Sequence, residues 1–91
     1  MMTVSEDQKL EALTILVEEC AEIIQAVSKV KRFGVDTTNA DTGEKNGFAL
    51  TKELADLLGV IRLAEKHGAI DPPSEEMIEC AMARKQSYSS L

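Results

Sequence analysis

Aromatic residues are scarce in this sequence. Its 91 residues include no Trp, one Tyr and two Phe, although hydrophobic residues make up 44% of the chain. A hydrophobic core must therefore be built from Leu, Ile, Val, Ala and Met. A single domain of this length buries only part of its surface, so we expect it to need a metal ion, a disulfide or partner chains for its stability.

Cysteine and histidine are also rare. The two cysteines, Cys20 and Cys80, have no Cys-x-x-Cys spacing, and the single histidine, His67, is too little for a zinc site. Both cysteines fall within apolar helical patterns, so we interpret them as small core residues of a protein in a reducing compartment. We expect His67, at a helix end, to interact with the helix dipole rather than to act as a catalyst.

A net positive charge and long hydrophobic runs are absent too. The formal net charge is −6, which argues against a protein that binds the phosphate backbone of nucleic acid non-specifically. No run of 18 or more apolar residues occurs, and residues 1–9 lack the basic start and apolar centre of a signal peptide. We therefore expect a cytoplasmic protein with no nucleic-acid partner and no membrane partner.

Periodic apolar residues predict three helices. The first should cover about residues 6–33 and end before Gly34, which suits the position just after a helix. The second should cover about residues 47–67, with Asn46 as its N-cap. The third should begin after an N-cap at Ser74. These patterns predict an all-α fold, a compact helical bundle of about three to four helices.

Two segments fall outside the predicted helices. Residues 34–46 are polar and lack periodicity, which predicts a flexible crossover loop or, alternatively, a lid on the substrate side. Residues 86–91 are expected to form a frayed tail. The first helix is apolar over so much of its circumference that we expect it to be buried on more than one side. The sequence therefore predicts one domain over residues 1–91 that assembles into an oligomeric, four-helix-type core.

Two acidic patterns lie within the first two predicted helices. The first reads Glu-Glu-Cys-Ala-Glu from Glu18 to Glu22, and the second reads Glu-Leu-Ala-Asp from Glu53 to Asp56. Acids three or four positions apart lie on one face of a helix, so each pattern can direct two carboxylates to one point. At about 100° per residue, Glu19, Glu53 and Asp56 fall in apolar sectors. Buried carboxylates repel one another unless protons or cations compensate them, and Mg²⁺ takes oxygen ligands of this kind.

Two other interpretations of these acids remain open. They could form a solvated charge pattern, which suits Glu18 better than the other four acids. They could also be buried as ion pairs with Lys29, Lys31, Lys85 or another subunit. Uncompensated burial costs several kcal/mol or shifts a pKa, so each interpretation has to provide a partner for the charge.

The paired motif resembles that of the MazG-like nucleotide pyrophosphohydrolases over about residues 10–85. The resemblance implies an all-α enzyme that hydrolyses nucleoside triphosphates, often deoxy forms, to the monophosphate and pyrophosphate. It implies Mg²⁺ as the cofactor, with Mn²⁺ as the alternative ion, and a homodimer or homotetramer of phage or bacterial type. The loop between the two motifs is long for this family.

The resemblance also suggests roles for individual residues. It implies four metal ligands: Glu19, Glu22, Glu53 and Asp56. It implies three catalytic residues, Glu18, Glu19 and Glu53, with Glu18 supporting the metal site, binding a second metal or activating water. Candidates for phosphate contacts are Lys31, Arg84 and Lys85. Two alternatives remain: a phosphoribosyl-ATP pyrophosphohydrolase of the same superfamily, and a non-catalytic helical oligomerisation or interaction module.

Overall fold

The computed structural model describes residues 4–91 of the chain, with side chains from Glu6 onward, so the first three residues of the predicted domain lie outside it. It contains three helices: α1 (Val4–Phe33), α2 (Asn46–Lys66) and α3 (Glu75–Ser87). No strand occurs within this range, and one isolated bridge joins Thr38 to Lys45. The prediction of an all-α fold is confirmed. None of the three helices is long and apolar enough to cross a membrane.

Helices α1 and α2 pack against each other as an antiparallel pair. The first turns of α1 line a cleft with the last turns of α2, and the second half of α1 lines another with the first turns of α2. The best-buried apolar residues of the pair are Ala12, at 6% exposure, and Ala64, which is fully buried. This packing matters for function because it brings the two acidic patterns to the same interface.

Glycines end both α1 and α2. Gly34 has a φ of 102°, and its N–H donates a hydrogen bond to the Val30 carbonyl at 2.9 Å. Gly68 has a φ of 75°, its N–H donates to Glu65, and the next N–H, of Ala69, donates to the Ala64 carbonyl at 2.8 Å. These bonds satisfy carbonyls that the helix ends would otherwise leave free, and the positive φ suits glycine because it has no Cβ. The predicted end of the first helix before Gly34 is confirmed.

The start of α2 differs from the prediction. Lys45 is the N-cap, and Asn46 is already helical, so the prediction of Asn46 as N-cap is wrong. The Asn46 side chain is buried, at 5% exposure, and its Nδ2 donates a hydrogen bond to the Gly34 carbonyl at 3.2 Å. The amide therefore ties the start of α2 to the end of α1 instead of capping its own helix.

The connection between α1 and α2 is held by backbone hydrogen bonds. Asn39 donates to Glu44 at 2.8 Å, Asn46 donates to Thr37 at 3.0 Å, and Gly47 donates to Val35 at 2.8 Å. An ion pair adds to them: Lys52 Nζ lies 2.9 Å from Glu44 Oε2 and 3.0 Å from Oε1. The segment is a loop as predicted, apart from its last residue; its flexibility stays a prediction.

Helix α3 lies apart from the α1–α2 pair. The Ser74 hydroxyl accepts a hydrogen bond from the Met77 N–H at 3.1 Å, which confirms the predicted cap. Within residues 4–91, α3 makes no packing contact with α1 or α2. It continues to Ser87, so the first part of the predicted frayed tail is helical.

One side of α1 faces solvent in the single chain. Val17, Ile24 and Cys20 are exposed, and Cys80 on α3 is exposed as well. The prediction that both cysteines are core residues is therefore wrong for the isolated chain. Cys20 is exposed because α2 covers only one side of α1, whose apolar sector is wider than the surface that α2 can bury. Cys80 is exposed because α3 packs against neither helix within residues 4–91.

Candidate metal centre

Three carboxylates meet between α1 and α2. Glu19 and Glu22 are one turn apart on α1, and Glu53 projects from α2 toward them. One carboxylate oxygen of each lies within 4.8 Å of the other two. We refer to Glu19, Glu22 and Glu53 as the carboxylate cluster. Glu19 is nine-tenths buried, Glu53 is half-buried and Glu22 is exposed, so the cluster extends from the helix interface to its rim.

Two oxygens of the cluster are buried without hydrogen bonds. Glu19 Oε1 and Glu53 Oε2 have no hydrogen-bond partner among the described residues. An unpaired buried carboxylate oxygen is costly, because it loses water and gains nothing in return. The cluster therefore calls for a proton or a cation at this point.

The electrostatics of the cluster favour bound protons when no cation is present. Close contact with the Glu19 carboxyl group raises the pKa of Glu53, because a proton there would be shared between the two acids; burial raises it further, while contact with Glu22 acts in the opposite direction. The pKa of Glu22 is raised first by its close contact with the Glu53 carboxyl group, then by the negative charge of Glu53 and by a partial loss of hydration at the cluster. Carboxylates this close cannot all be ionised without a large repulsion.

The donor set fits a hard divalent cation. Mg²⁺ binds octahedral oxygen ligands at about 2.0–2.1 Å, so adjacent ligands are about 3 Å apart and opposite ligands about 4.2 Å apart. The three cluster oxygens, within 4.8 Å of one another, can approach these spacings with small side-chain rotations. A cation there would pair the buried oxygens of Glu19 and Glu53. The residues therefore fit the group that the sequence predicted.

The other two predicted acids lie near the cluster and outside its three-oxygen group. Asp56, one turn beyond Glu53 on α2, is exposed, and its charge helps to raise the pKa of Glu22 and of Glu53. Glu18 is exposed on α1, and its charge adds to the raised pKa of Glu22. The structure thus brings three of the four predicted ligands together, and the roles of Asp56 and Glu18 stay predictions.

Among the side chains of residues 6–91, no basic group forms an ion pair with the cluster. Across the described side chains, the two ion pairs are Lys9 with Glu6 and Lys52 with Glu44, and neither involves the cluster. The interpretation of these acids as ion-paired core residues therefore lacks support from within one chain. Lys52 of α2 is instead paired with Glu44 of the loop, and this contact raises the pKa of its ammonium group.

A cleft opens directly beside the cluster. It has a volume of about 300 Å³, and we call it the α1–α2 cleft. It is lined by Glu22, Gln25, Ala26 and Lys29 of α1 and by Asn46, Ala49 and Glu53 of α2. Two of the three cluster carboxylates form one end of this space. A ligand held in the cleft would therefore reach the cluster.

The predicted phosphate contacts do not line this cleft. Lys31 is exposed on the last turn of α1, and Arg84 and Lys85 are exposed on the last turn of α3, so their role stays a prediction. The cationic side chain that does line the cleft is Lys29. Its spacing from Glu22 could have identified it, since residues seven apart lie two turns apart on the same face of a helix.

The fold and the site define an all-α protein with a carboxylate cluster between its first two helices. Comparisons with protein families, with curated proteins and with solved structures found no match for the chain. A function for the cluster therefore rests on its own residues and on the resemblance of its sequence motifs.

Proposed function

We propose that this protein hydrolyses nucleoside triphosphates, ribo- or deoxyribonucleotides, to the monophosphate and pyrophosphate with Mg²⁺. The observation that carries the proposal is the carboxylate cluster with its two buried, unpartnered oxygens on Glu19 and Glu53. The resemblance of the two acidic sequence patterns to the paired motif of the MazG-like pyrophosphohydrolases supports the same reaction. Mn²⁺ is the alternative ion, because it also prefers carboxylate ligands.

The cluster residues would hold the ion, with Asp56 as a fourth ligand from the next turn of α2. When bound, Mg²⁺ neutralises phosphate oxygens and makes water a better nucleophile at neutral pH. The chain's net charge of −6 makes such neutralisation necessary, because the protein would otherwise repel a polyphosphate. Glu19 and Glu53 fix the position of the charge because they are held between two packed helices.

The reaction consumes one water molecule. The water oxygen forms a bond to the α-phosphorus, the bond from that phosphorus to the α–β bridging oxygen breaks, and pyrophosphate leaves with the electron pair. The attacking water loses one proton. We assign its acceptance to the carboxylate of Glu18, which is exposed at the edge of the cluster and is not one of its three close oxygens.

We further propose that the active protein is a homodimer or homotetramer with a four-helix-type core. Large apolar side chains on both packed helices are exposed in the single chain, among them Val17, Ile24 and Leu58 at 60–69%. Val17 and Ile24 are two turns apart on one face of α1, and neighbouring exposed apolar residues of this kind are typical of interaction surfaces. In solution the mass should be two or four times the 9.9 kDa of one chain. A cytoplasmic location belongs to the same proposal.

The exposed apolar surface also favours a second candidate, a non-catalytic helical interaction module. Such a module would use Val17, Ile24 and Leu58 for assembly, with the acids facing basic side chains of another subunit. It predicts neither turnover nor stabilisation by Mg²⁺. A phosphoribosyl-ATP pyrophosphohydrolase would share the cluster and differ in its substrate pocket.

The experiment is a substrate panel. Purified protein is incubated with ribo- and deoxyribonucleoside triphosphates and with phosphoribosyl-ATP, each with Mg²⁺ or with chelator, and products are separated by anion exchange. We expect monophosphate and pyrophosphate in equal amounts, and only with the metal. Release of nucleoside diphosphate and orthophosphate would instead show cleavage between the β- and γ-phosphates. Absence of product with every substrate would favour the interaction module.

A further inference from the structure

We propose that Lys29 binds a phosphate group of the substrate in the α1–α2 cleft. This inference rests on the proposed function and adds a residue that the sequence motifs do not include. Among the residues that line the cleft, Lys29 is the cationic one, and the cleft also contains Glu22 and Glu53 of the carboxylate cluster. One continuous space thus joins an anionic metal-binding end to a cationic side chain.

The cleft has a direction along the helix pair. On α1 it passes from Glu22 to Lys29, and on the antiparallel α2 it passes from Glu53 to Asn46. Seven residues of helix correspond to about 10 Å along the axis. Lys29 therefore lies two turns from the cluster, and its long side chain can reach back along the cleft. A phosphate chain that begins at the cluster would extend toward it.

Lys29 is free to make this contact. It is exposed, and no ion pair involves it across the described side chains. On the facing helix, Lys52 precedes Glu53 in the sequence, but it already forms an ion pair with Glu44 at 2.9 Å. An ammonium group offers three donors to phosphate oxygens and no acceptor, so it adds charge where a single divalent ion leaves a polyphosphate only partly neutralised.

The remaining cleft walls suit a phosphate as well. Gln25 adds a polar amide, while Ala26 and Ala49 leave room in the middle of the space. Asn46 already uses its amide to hold the Gly34 carbonyl, so this wall is fixed rather than adaptable. The bound group could be the leaving pyrophosphate or the phosphate that stays on the nucleoside, and both have the same charge chemistry.

The experiment compares Lys29→Met with Lys29→Arg, and uses Lys66→Met as the control. Lys66 is an exposed lysine at the end of α2, outside the cleft. Loss of a charged hydrogen bond should raise KM for the nucleoside triphosphate by about tenfold or more in Lys29→Met, with a smaller change in kcat. Lys29→Arg should recover most of the affinity, and Lys66→Met should match the wild type. Circular dichroism checks that all variants are helical.

A second measurement does not depend on turnover. Isothermal titration with Mg²⁺ present measures the binding of inorganic pyrophosphate and, separately, of a nucleoside monophosphate. Loss of pyrophosphate binding in Lys29→Met assigns Lys29 to the leaving group, and loss of monophosphate binding assigns it to the retained phosphate. Unchanged affinity for both, with unchanged KM, overturns the inference while leaving the hydrolase intact. A wild-type protein that binds pyrophosphate through Lys29 but never turns over overturns the proposed function alone.

Discussion

Glu19 on α1 and Glu53 on α2 meet at the helix interface, and each has one buried carboxylate oxygen without a hydrogen-bond partner in residues 6–91. Two acids that share an interface in this way repel each other when both are ionised. They do so in the part of the chain where helix packing should stabilise the fold. The pair therefore links the stability of the α1–α2 unit to whatever neutralises its charge.

Magnesium should raise the melting temperature of this protein. A ligand that binds only the folded state stabilises it by about 2.7 kcal/mol at a concentration 100 times its dissociation constant. Differential scanning fluorimetry in a Mg²⁺ titration would measure the shift. Glu19→Gln should lose most of it, whereas Glu79→Gln, at an exposed position on α3, should retain it. A shift of equal size in both variants would contradict a site at the cluster.

The stability of the metal-free protein should fall as the pH rises. The pKa values of Glu22 and Glu53 are raised above their ordinary value of 4.5 in the folded chain. The folded state therefore binds more protons than the unfolded state, and this contribution is complete below pH 4.5 and lost as the pH rises through the raised values. Urea unfolding in chelator, from pH 4.5 to 7.5, would measure the trend.

The control for this pH dependence is Glu53→Gln. Its neutral amide cannot ionise, so the difference in unfolding free energy between the wild type and the variant isolates the cluster from the other acids. We expect the unfolding free energy of Glu53→Gln to increase relative to that of the wild type as the pH rises. A difference that stays constant with pH, or that changes in the opposite direction, would show that the cluster does not hold protons.

Gly47 is required where the loop meets α2. A Cβ added there would overlap with Val35 Cγ2 and lie 3.0 Å from the Val35 carbonyl oxygen. Gly47→Ala should therefore destabilise the fold by about 1–3 kcal/mol, because backbone and a branched side chain have to move. Gly59, also within α2, has nothing within 4 Å of an added Cβ, so Gly59→Ala should be stabilising by about 0.5–1 kcal/mol. Urea unfolding separates the two, and equal effects would contradict this packing.

Helix number and the main helix ends could be predicted from the sequence because they depend on local chemistry. A glycine that follows a helix and a serine that caps one act within a few residues, so Gly34 and Ser74 were placed correctly. The prediction that Glu19, Glu53 and Asp56 lie in apolar sectors follows from helical periodicity. It is consistent with the burial of Glu19 and the half-burial of Glu53, whereas Asp56 is exposed. Periodicity placed each acid on the apolar side of its own helix, and the structure shows that Glu19 and Glu53 meet.

Features that depend on which surfaces meet could not be predicted from periodicity. A helical wheel shows that Val17 and Cys20 belong to an apolar sector, but not that α2 packs on the other part of that sector. Asparagine favours N-cap positions, which is the basis of the prediction for Asn46. Its side-chain amide instead donates a hydrogen bond to the Gly34 carbonyl at the end of α1. The seven-residue spacing places Lys29 on the same face of α1 as Glu22, but that this face lines a cleft depends on how α1 packs with α2.

The most direct test of the central claim is pyrophosphate release by Glu53→Gln beside the wild type and Glu79→Gln. Loss of a metal ligand should lower turnover by about 100-fold or more while the helical circular-dichroism spectrum is retained. Glu79→Gln should match the wild type, and chelator should silence all three proteins. Full activity in Glu53→Gln, or wild-type activity that persists in chelator, would contradict a metal centre at Glu19, Glu22 and Glu53.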